Sequence, residues 1–460
     1  MAYDGTIAAT LSNYEQVLKT FYLPAIQEQL PQMNPLSDLI ESGEKDVSGK
    51  NATINCHYGR NTGVFARADG GSFGDPGYQK HITATVPMKY NYGRITFSGP
   101  TVAATRDQKG AYASVIDNEV TGLVKDLARE INRQLWGCGY GILGRWRSTG
   151  GDTTYTLQKK YYGNSAGGDG FGSTFGAKYL KEFNHGVPVV LTTSGSTVTV
   201  ATVDETNIAV SAIAESDDYD TITCTNPVVT EAAGTFYVRP GNMATVTAAS
   251  STAGAGRLEM MGLRGIVTDE NIDNIAFYDG TDRGMSALAD PLQGLNSSTY
   301  AWWKAKVDSL PGGRYSGQRA LTFKLFDKMF DEVAEQAGEG YGPDAIFTTR
   351  AIRREYKELA AADRRLINTM TLDGGWKAIE HNGIPLLVDS DAIDGEIYFL
   401  TLKDLYIYRM SDYQWMDKDG SIFSRLTGYD AYEAVLFRYA ELGTTRRNVH
   451  GVIADVAYDA

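Results

Sequence analysis

The stretch GAYASVIDNEVTGLVKDLAREINRQLW, Gly110–Trp136, decides how this chain is read. Apolar side chains fall at Ile116, Val120, Leu123, Val124, Leu127, Ile131 and Leu135, in steps of 4, 3, 1, 3, 4 and 4. That spacing puts them on one face of an amphipathic helix. Asp117, Glu119, Asp126, Arg129, Glu130 and Arg133 are expected on the other face. At a rise of 1.5 Å per residue the helix is roughly 40 Å long, about the width of a domain. Burying the apolar stripe stabilises by about 10–20 kcal/mol gross, before chain entropy is subtracted. Gly137, Gly139, Gly141 and Gly144 then stop the helix. It reads as a strut in a chain otherwise rich in strands and turns.

Upstream, Ile82, Ala84, Val86, Met88, Tyr90 and Tyr92 alternate with mostly polar neighbours, the period of a half-buried strand. Gly93 reads as a bulge before Ile95 and Phe97. An earlier strand fits Ala52–Tyr58, and GVFARADGGSFGDPG, Gly63–Gly77, lies between the two. The result is a long two-stranded hairpin with a glycine-rich tip. Two strands alone are marginal in water, so a ribbon of this length needs a surface to rest on. Arg67 against Asp69 and Asp75, with Arg60 nearby, equips the tip to dock by charge. Before the hairpin, residues 1–48 read as an arm with a short helix at Tyr14–Tyr22, interrupted by Pro24, Pro31 and Pro35.

Beyond the strut, residues 146–255 turn rich in Thr, Ser, Gly, Ala and Val. Strands fit Val198–Val203, Asp218–Cys224 and Thr235–Gly241, so this is an inserted all-β region. Leu258–Val267 is apolar and reads as a return to the domain that holds the strut. An α/β unit follows. A helix at Arg319–Ala337 shows Leu321, Leu325, Phe326, Met329, Phe330 and Val333 on one face. Pro343–Arg350 reads as a strand ending in a Thr N-cap. The next helix carries Ile352, Tyr356, Leu359 and Ala360 inside, with Arg353, Arg354 and Lys357 outside. Strands fit Ile384–Val388, Glu396–Leu400 and Leu405–Tyr408. The tail, Glu433–Ile453, is strand-like and is expected beside the strut.

The 460 residues correspond to roughly three domains. A net charge of −13 argues against a simple nucleic-acid binder and disfavours casual association of free subunits. Cys56, Cys138 and Cys224 are odd in number and far apart, which reads as free thiols from a reducing cytosol. No secretory signal and no membrane-spanning apolar run are recognised.

Chemistry is mostly missing. His57, His81, His185, His381 and His450 make no HxH or HExxH pattern and read as surface or packing residues. Gly137-x-Gly-x-Gly141 follows a helix, whereas a dinucleotide loop follows a strand. Gly167–Gly172 reads as a turn. Trp415–Ser421, with Asp417 and Asp419, reads as a hairpin turn and lacks the ligand spacing of a calcium loop. No nucleophile elbow or phosphate loop occurs. Arg353, Arg354, Lys357, Arg364 and Arg365 form either a solvated helix face or an inter-subunit contact. The reading is of no enzyme, no cofactor and no metal.

Arm, extended hairpin, strut helix, α/β unit and returning strand, in that order, resemble the major capsid proteins of tailed bacteriophages. Theirs is the Hong Kong 97-type fold, also used in herpesvirus capsid floors and bacterial encapsulin shells. Asp46–Gly71 resembles the family's extended loop, and Thr85–Tyr112 its return into the spine helix. Ile131–Leu143 resembles the end of that helix, where related capsids read Phe-Gly-Asp-Gly and this chain has Trp136 and Cys138. Leu372–Trp376 and Tyr439–Ile453 resemble further family segments. The likeness covers most of the chain outside 146–255.

The resemblance implies an α+β fold in seven parts: an N-terminal arm (1–48), an extended β-hairpin loop (49–98) and a peripheral domain with the spine helix (99–145). The inserted β-rich domain (146–255), the peripheral return (256–300), the axial α/β domain (301–424) and the C-terminal peripheral strands (425–460) complete it. The implied function is a virion shell subunit, assembled in the bacterial host cytoplasm. Hexamers and pentamers would build an icosahedral capsid around double-stranded DNA held without sequence-specific contacts. Implied partners are other copies of the chain, a portal protein, a separate scaffolding protein and a decoration protein, with no membrane. Arg60, Arg67, Asp69, Phe73, Asp75, Arg353 and Arg354 are the expected inter-subunit contacts. Some relatives cross-link a loop lysine to a neighbour's asparagine; Lys80 is nearby, but no catalytic carboxylate is assigned. The alternatives are an encapsulin-like compartment and a phage tail-tube subunit.

Overall fold

The computed structural model describes residues 35–41, 45–47, 49–100, 115–141, 143–148, 154–158, 178–180, 186–194, 197–201, 210–215, 219–224, 234–240, 257–271, 291–311, 318–338, 342–362, 369–371, 377–417 and 422–458. The expected helix at Tyr14–Tyr22, the first residues of the strut, Gly167–Gly172, His185, Arg364, Arg365, Leu372–Trp376 and Asp419 lie outside them.

In chain order the elements are α1 (Pro35–Glu41), β1 (Lys45–Asp46), β2 (Asn51–Gly59), β3 (Lys80–Pro87), β4 (Lys89–Ser98) and α2 (Val115–Trp136). The inserted region holds β5 (Gly144–Ser148), β6 (Thr154–Gln158), β7 (Gly186–Ser194), β8 (Thr197–Ala201), β9 (Val210–Glu215), β10 (Tyr219–Cys224) and β11 (Gly234–Pro240). Then come α3 (Leu263–Ile266), β12 (Lys306–Asp308), α4 (Phe323–Ala337), β13 (Ala345–Thr348) and α5 (Arg350–Ala362). The chain ends with β14 (Thr369–Thr371), β15 (Lys377–His381), β16 (Ile384–Val388), β17 (Ile397–Leu400), β18 (Leu405–Trp415), β19 (Ser424–Arg425), β20 (Ala431–Thr444) and β21 (Gly451–Ile453). The class is α+β. Pro35, read as a break in the arm, instead occupies the first turn of α1, where its missing N–H costs nothing.

Two units are distinguished: Met1–Pro31, Gly93–Asp126 and Trp415–Leu436, and Gln32–Tyr92, Leu127–Gln414 and Phe437–Ala460. In the first, Ile95, Phe97 and Ala434 form a small core, with Val120, Leu123 and Trp415 packed on it. Gly93 is no simple bulge. A Cβ there would stand 2.9 Å from the Leu123 side chain, so glycine admits the helix to the strand. Val124, expected on the buried stripe, is 39% exposed.

The larger unit centres on a seven-stranded sheet of order β12-β21-β17-β13-β16-β15-β14. β13 runs parallel to β16 and antiparallel to β17. Phe326, Met329 and Val333 of α4 and Ile352 and Tyr356 of α5 pack on Ile346, Leu386, Ile397, Phe399 and Ile453 of the sheet. β21 is built into this sheet, parallel to β12 and antiparallel to β17. Among the described residues of 144–240 the strands form two antiparallel sheets, β6-β10-β9 and β5-β11-β7-β8.

The hairpin is β2 against β3, in register from Asn51↔Pro87 to His57↔His81. The strand read as continuous from Ile82 to Phe97 is broken at Met88, and β4 pairs with β20. The root of the ribbon has its own support. Ala52, Val86, Met88 and Tyr408 form a cluster, with Val47, Ile54 and Tyr406 against it.

The end of α2 is enclosed on every side. Leu127, Ile131 and Leu135 are buried as expected, but so are Asn132, Arg133 and Gln134. Arg133, placed by periodicity on the outer face, lies between Glu130 and Glu259 and bonds both. Burial alone would lower its pKa, but the two carboxylates raise it above the normal arginine value. Gln134 donates to Asn91 Oδ1 at 3.1 Å and accepts from the Met260 N–H at 3.1 Å. Trp136 meets Tyr398 and Phe347 edge-on, at 5.5 and 6.0 Å between ring centroids. Gly262 lies so close to the helix terminus that a Cβ would strike the Gln134 carbonyl and the Gly137 backbone. Asn132 donates to Asp391 at 2.6 Å and Asp389 at 3.3 Å, and Asp389 also accepts the Leu36 N–H at 3.3 Å. Burial, then the neighbouring Asp391, pushes the Asp389 carboxyl up to about 6.

The segment GTTRRNVH, Gly443–His450, supplies polar anchors to this unit. Arg446 pairs with Asp404 at 2.7 Å. Arg447, fully buried, donates at 2.8 Å to the Ile266 carbonyl at the end of α3 and at 2.8 Å to the Glu270 carbonyl in the segment beyond it. Such donors satisfy carbonyls that a helix end leaves open. His450 accepts the Thr401 N–H on Nδ1, and burial lowers its pKa to about 4, so the ring stays neutral. Glu441 accepts the Met261 and Leu442 N–H groups. Burial pushes it up to about 7, while Lys89 and Arg257 pull the other way.

Two outcomes follow from these placements. Leu127→Asp buries an unpaired charge and costs on the order of 4 kcal/mol or more, so the variant is recovered insoluble, whereas Val124→Asp at an exposed position stays within about 0.5 kcal/mol of the parent; yield and urea unfolding check both. Because Glu441 titrates higher when folded, its contribution is fully present below about pH 4.5 and is lost as pH rises through about 7. Glu441→Gln therefore removes about 3 kcal/mol of pH dependence, and its urea midpoint should fall less than the parent's between pH 5.5 and pH 8.

Candidate functional site

Past the last paired residues of β2 and β3, residues 60–79 leave the sheet as an exposed loop. Glycine and proline dominate its return limb, Gly70–Gly77, and deny it regular pairing. Local contacts order it instead. The Gly71 N–H donates to the Ala68 carbonyl at 3.0 Å, closing a turn that needs Gly70 at φ +73°. The Gly63 N–H donates to Asn61 Oδ1 at 2.7 Å. Arg67 lies over the Phe65 ring at 5.0 Å, and Phe65 sits 6.5 Å from Phe73, ring to ring.

Among the described residues no ion pair joins Arg60 or Arg67 to Asp69 or Asp75; the partner of Arg67 is an aromatic face. What the tip presents is apolar area: Phe73 is 91% exposed, Val64 87% and Tyr78 75%. Large apolar side chains exposed together mark a surface made for a partner. Phe73 was among the expected contact residues. Val64 and Tyr78 were not singled out, although bulky side chains within a glycine-rich turn were the available signal.

At the mouth of the loop, Tyr58 stacks on Trp302 at 5.6 Å and 12°, with Tyr300 edge-on at 6.3 Å. This aromatic group was not foreseen, because Trp302 is far away in sequence. It holds the base of the ribbon on its own chain, so the unsupported part is the tip and not the whole hairpin.

The second expected contact, the basic face of α5, is on a separate element. Ile352, Tyr356 and Ala360 bury its inner stripe. Arg354 and Lys357 are exposed and Arg353 is half-buried. The Thr349 hydroxyl, expected as the cap, finds no hydrogen-bond partner among the described residues. No hydrogen bond or ion pair among the described residues links Arg353 or Arg354 to the loop residues Arg60, Arg67, Asp69, Phe73 and Asp75.

The buried ionisable groups Asp389, Glu441 and His450 are at most 2% exposed and serve as packing anchors out of reach of a substrate. Cys56 and Cys138 are free and buried thiols, pushed up by burial. Among the described residues no group of three or more His, Cys, Asp or Glu is placed to hold a metal ion, and no helix is long and apolar enough to cross a membrane.

Sequence comparison finds no matching family model and no matching curated protein. Solved structures do match. The cyanophage A-1(L) capsid asymmetric unit superposes with a TM-score of 0.55 at 12% identity, over 97% of this chain and 99% of that one. The capsid of the empty GTA particle gives 0.50 at 8% identity, over 98% and 100%. The holo-SrpI encapsulin complex of Synechococcus elongatus gives 0.46 at 8% identity over 99% of both chains, too low to carry weight. Identities this low speak for the fold alone, and the near-complete coverage applies it to the whole length: the chain has the fold of a phage capsid protein.

Proposed function

We propose that this chain is the major capsid protein of a tailed phage, of the Hong Kong 97 type. Copies assemble through hexamers and pentamers into an icosahedral shell around double-stranded DNA. The observation that carries this reading is a loop tip with bare Phe73, Val64 and Tyr78 on a chain whose fold is that of capsid subunits. Exposed apolar area of this kind is paid for only when a partner covers it. In a shell the partner is a neighbouring copy. Each contact is weak by itself, but every subunit is held by several neighbours at once, so the closed particle is stable.

In this reading residues 301–424 are the axial domain, with the α5 face of Arg353 and Arg354 meeting another copy. The peripheral parts are 99–145, 256–300 and 425–460, and 146–255 is an inserted β-rich domain. The loop, with Arg60, Arg67, Asp69, Phe73 and Asp75, lies on an adjacent subunit. Glycine near the tip lets it meet neighbours at more than one angle, as non-equivalent positions demand. The net charge of −13 keeps the wall from binding the genome tightly. A portal, a separate scaffolding protein and a decoration protein complete the proposed virion, assembled in the host cytoplasm. The proposed role is structural, with no catalysis.

Electron microscopy of the expressed chain, with and without a scaffold, tests this directly. Closed shells are expected; tubes or persistent monomers at high concentration would refute it. The paired change Val64→Ser and Phe73→Ser should leave circular dichroism and the unfolding midpoint unchanged and abolish shells, because both side chains are already exposed in the single subunit. Normal shells from that variant would remove the loop tip from the assembly contact.

A further inference from the structure

We propose that His57 and His81 form a binding site for a borderline divalent transition ion, with zinc as its representative, across the mouth of the extended hairpin. The two residues face each other directly in the β2–β3 register, on the ribbon's solvent side. Their ring centroids are 5.0 Å apart with planes at 43°, neither stacked nor splayed. One ion held by a nitrogen of each ring at about 2.0–2.1 Å fits between rings so spaced. Imidazole pairs favour zinc, copper or nickel over calcium or magnesium, which seek oxygen.

A second observation points the same way. His57 Nε2 lies 3.0 Å from the Gly59 carbonyl and 2.7 Å from Gln79 Oε1. A carbonyl only accepts, so Nε2 carries the proton and Nδ1 keeps its lone pair free for an ion. Metal-ligating histidines are oriented in this way, with the other ring N–H given to a carbonyl or carboxylate. The register shift between His57 and Gly59 brings the Gly59 carbonyl back to its neighbour's ring. The other face of the same strands is apolar, with Ala52, Ala84 and Val86 buried, so the pair is held on a backed ribbon. Two imidazoles supply the protein ligands and water completes the shell, which makes a site of modest affinity. Only the Gly59↔Lys80 pairing lies between it and the loop. An ion here ties the strands together where the ribbon opens into its tip and limits their splaying.

This inference stands apart from the shell reading, since it concerns one subunit. Calorimetry with zinc chloride, on the full-length unassembled chain in a non-chelating buffer, should show one ion per chain. His57→Thr and His81→Thr, both suited to a strand, should each abolish that binding while circular dichroism is unchanged. A readout on the parent protein covers the case of a misfolded variant. Diethyl pyrocarbonate should label His57 and His81, and zinc should protect both, as read by peptide mass spectrometry. Absence of zinc binding, binding retained in either single variant, or labelling unchanged by zinc would overturn the proposal.

Discussion

The larger unit depends on how the last two turns of α2 are enclosed. A helix end carries open backbone carbonyls, and this one also carries an arginine, an asparagine and a glutamine inward. Removing one partner from such a group leaves a buried charge uncompensated, which is far more damaging than losing a surface contact. Arg133 between Glu130 and Glu259, Gln134 between Asn91 and Met260, and Asn132 against Asp389 and Asp391 meet that demand together. All but the Arg133–Glu130 bond reach a segment distant in sequence. The helix thereby sets where β4, the 257–261 segment and the loop after β16 must lie. Apolar burial drives the collapse, while these directional bonds choose one arrangement among many.

The hairpin shows the opposite balance. Its root is committed to its own chain through Ala52, Val86, Met88 and Tyr408, and its mouth through Tyr58 on Trp302. Beyond that point the contacts of the tip among the described residues are local, such as the turn at Gly70, the Asn61 side chain and Arg67 over Phe65. The tip is thus shaped without being covered. A pre-formed turn of this kind has already lost part of its conformational entropy, so less remains to be lost in any later contact. The same economy separates ribbon from tip in chemistry, with polar pairs such as Asn55 and Thr83 on the ribbon's outer face and bare Phe73 and Val64 at the end.

Much of this was legible in the residues themselves. The helix, the hairpin strands, the β-rich insertion and the α4–β13–α5 sequence follow from periodicity, which is a property of neighbours along the chain. Readings failed where a distant segment intervened. Gly93 looked like a bulge, but the Leu123 side chain occupies the place of a Cβ. Arg133 looked solvent-facing, but Glu259 arrives from 126 residues away. Arg67 looked like half of an ion pair, but the turn at Gly70 leaves it over Phe65.

The sequence by itself therefore determined the elements and their order, because hydrophobic period, glycine and proline act over a few residues. Tertiary structure alone decided which sheet each strand joined, which charges went inside and which support the ribbon found. Those outcomes depend on close approach between segments tens to hundreds of residues apart. No local pattern encodes that approach, since each partner's face is set by what the rest of the chain has already buried.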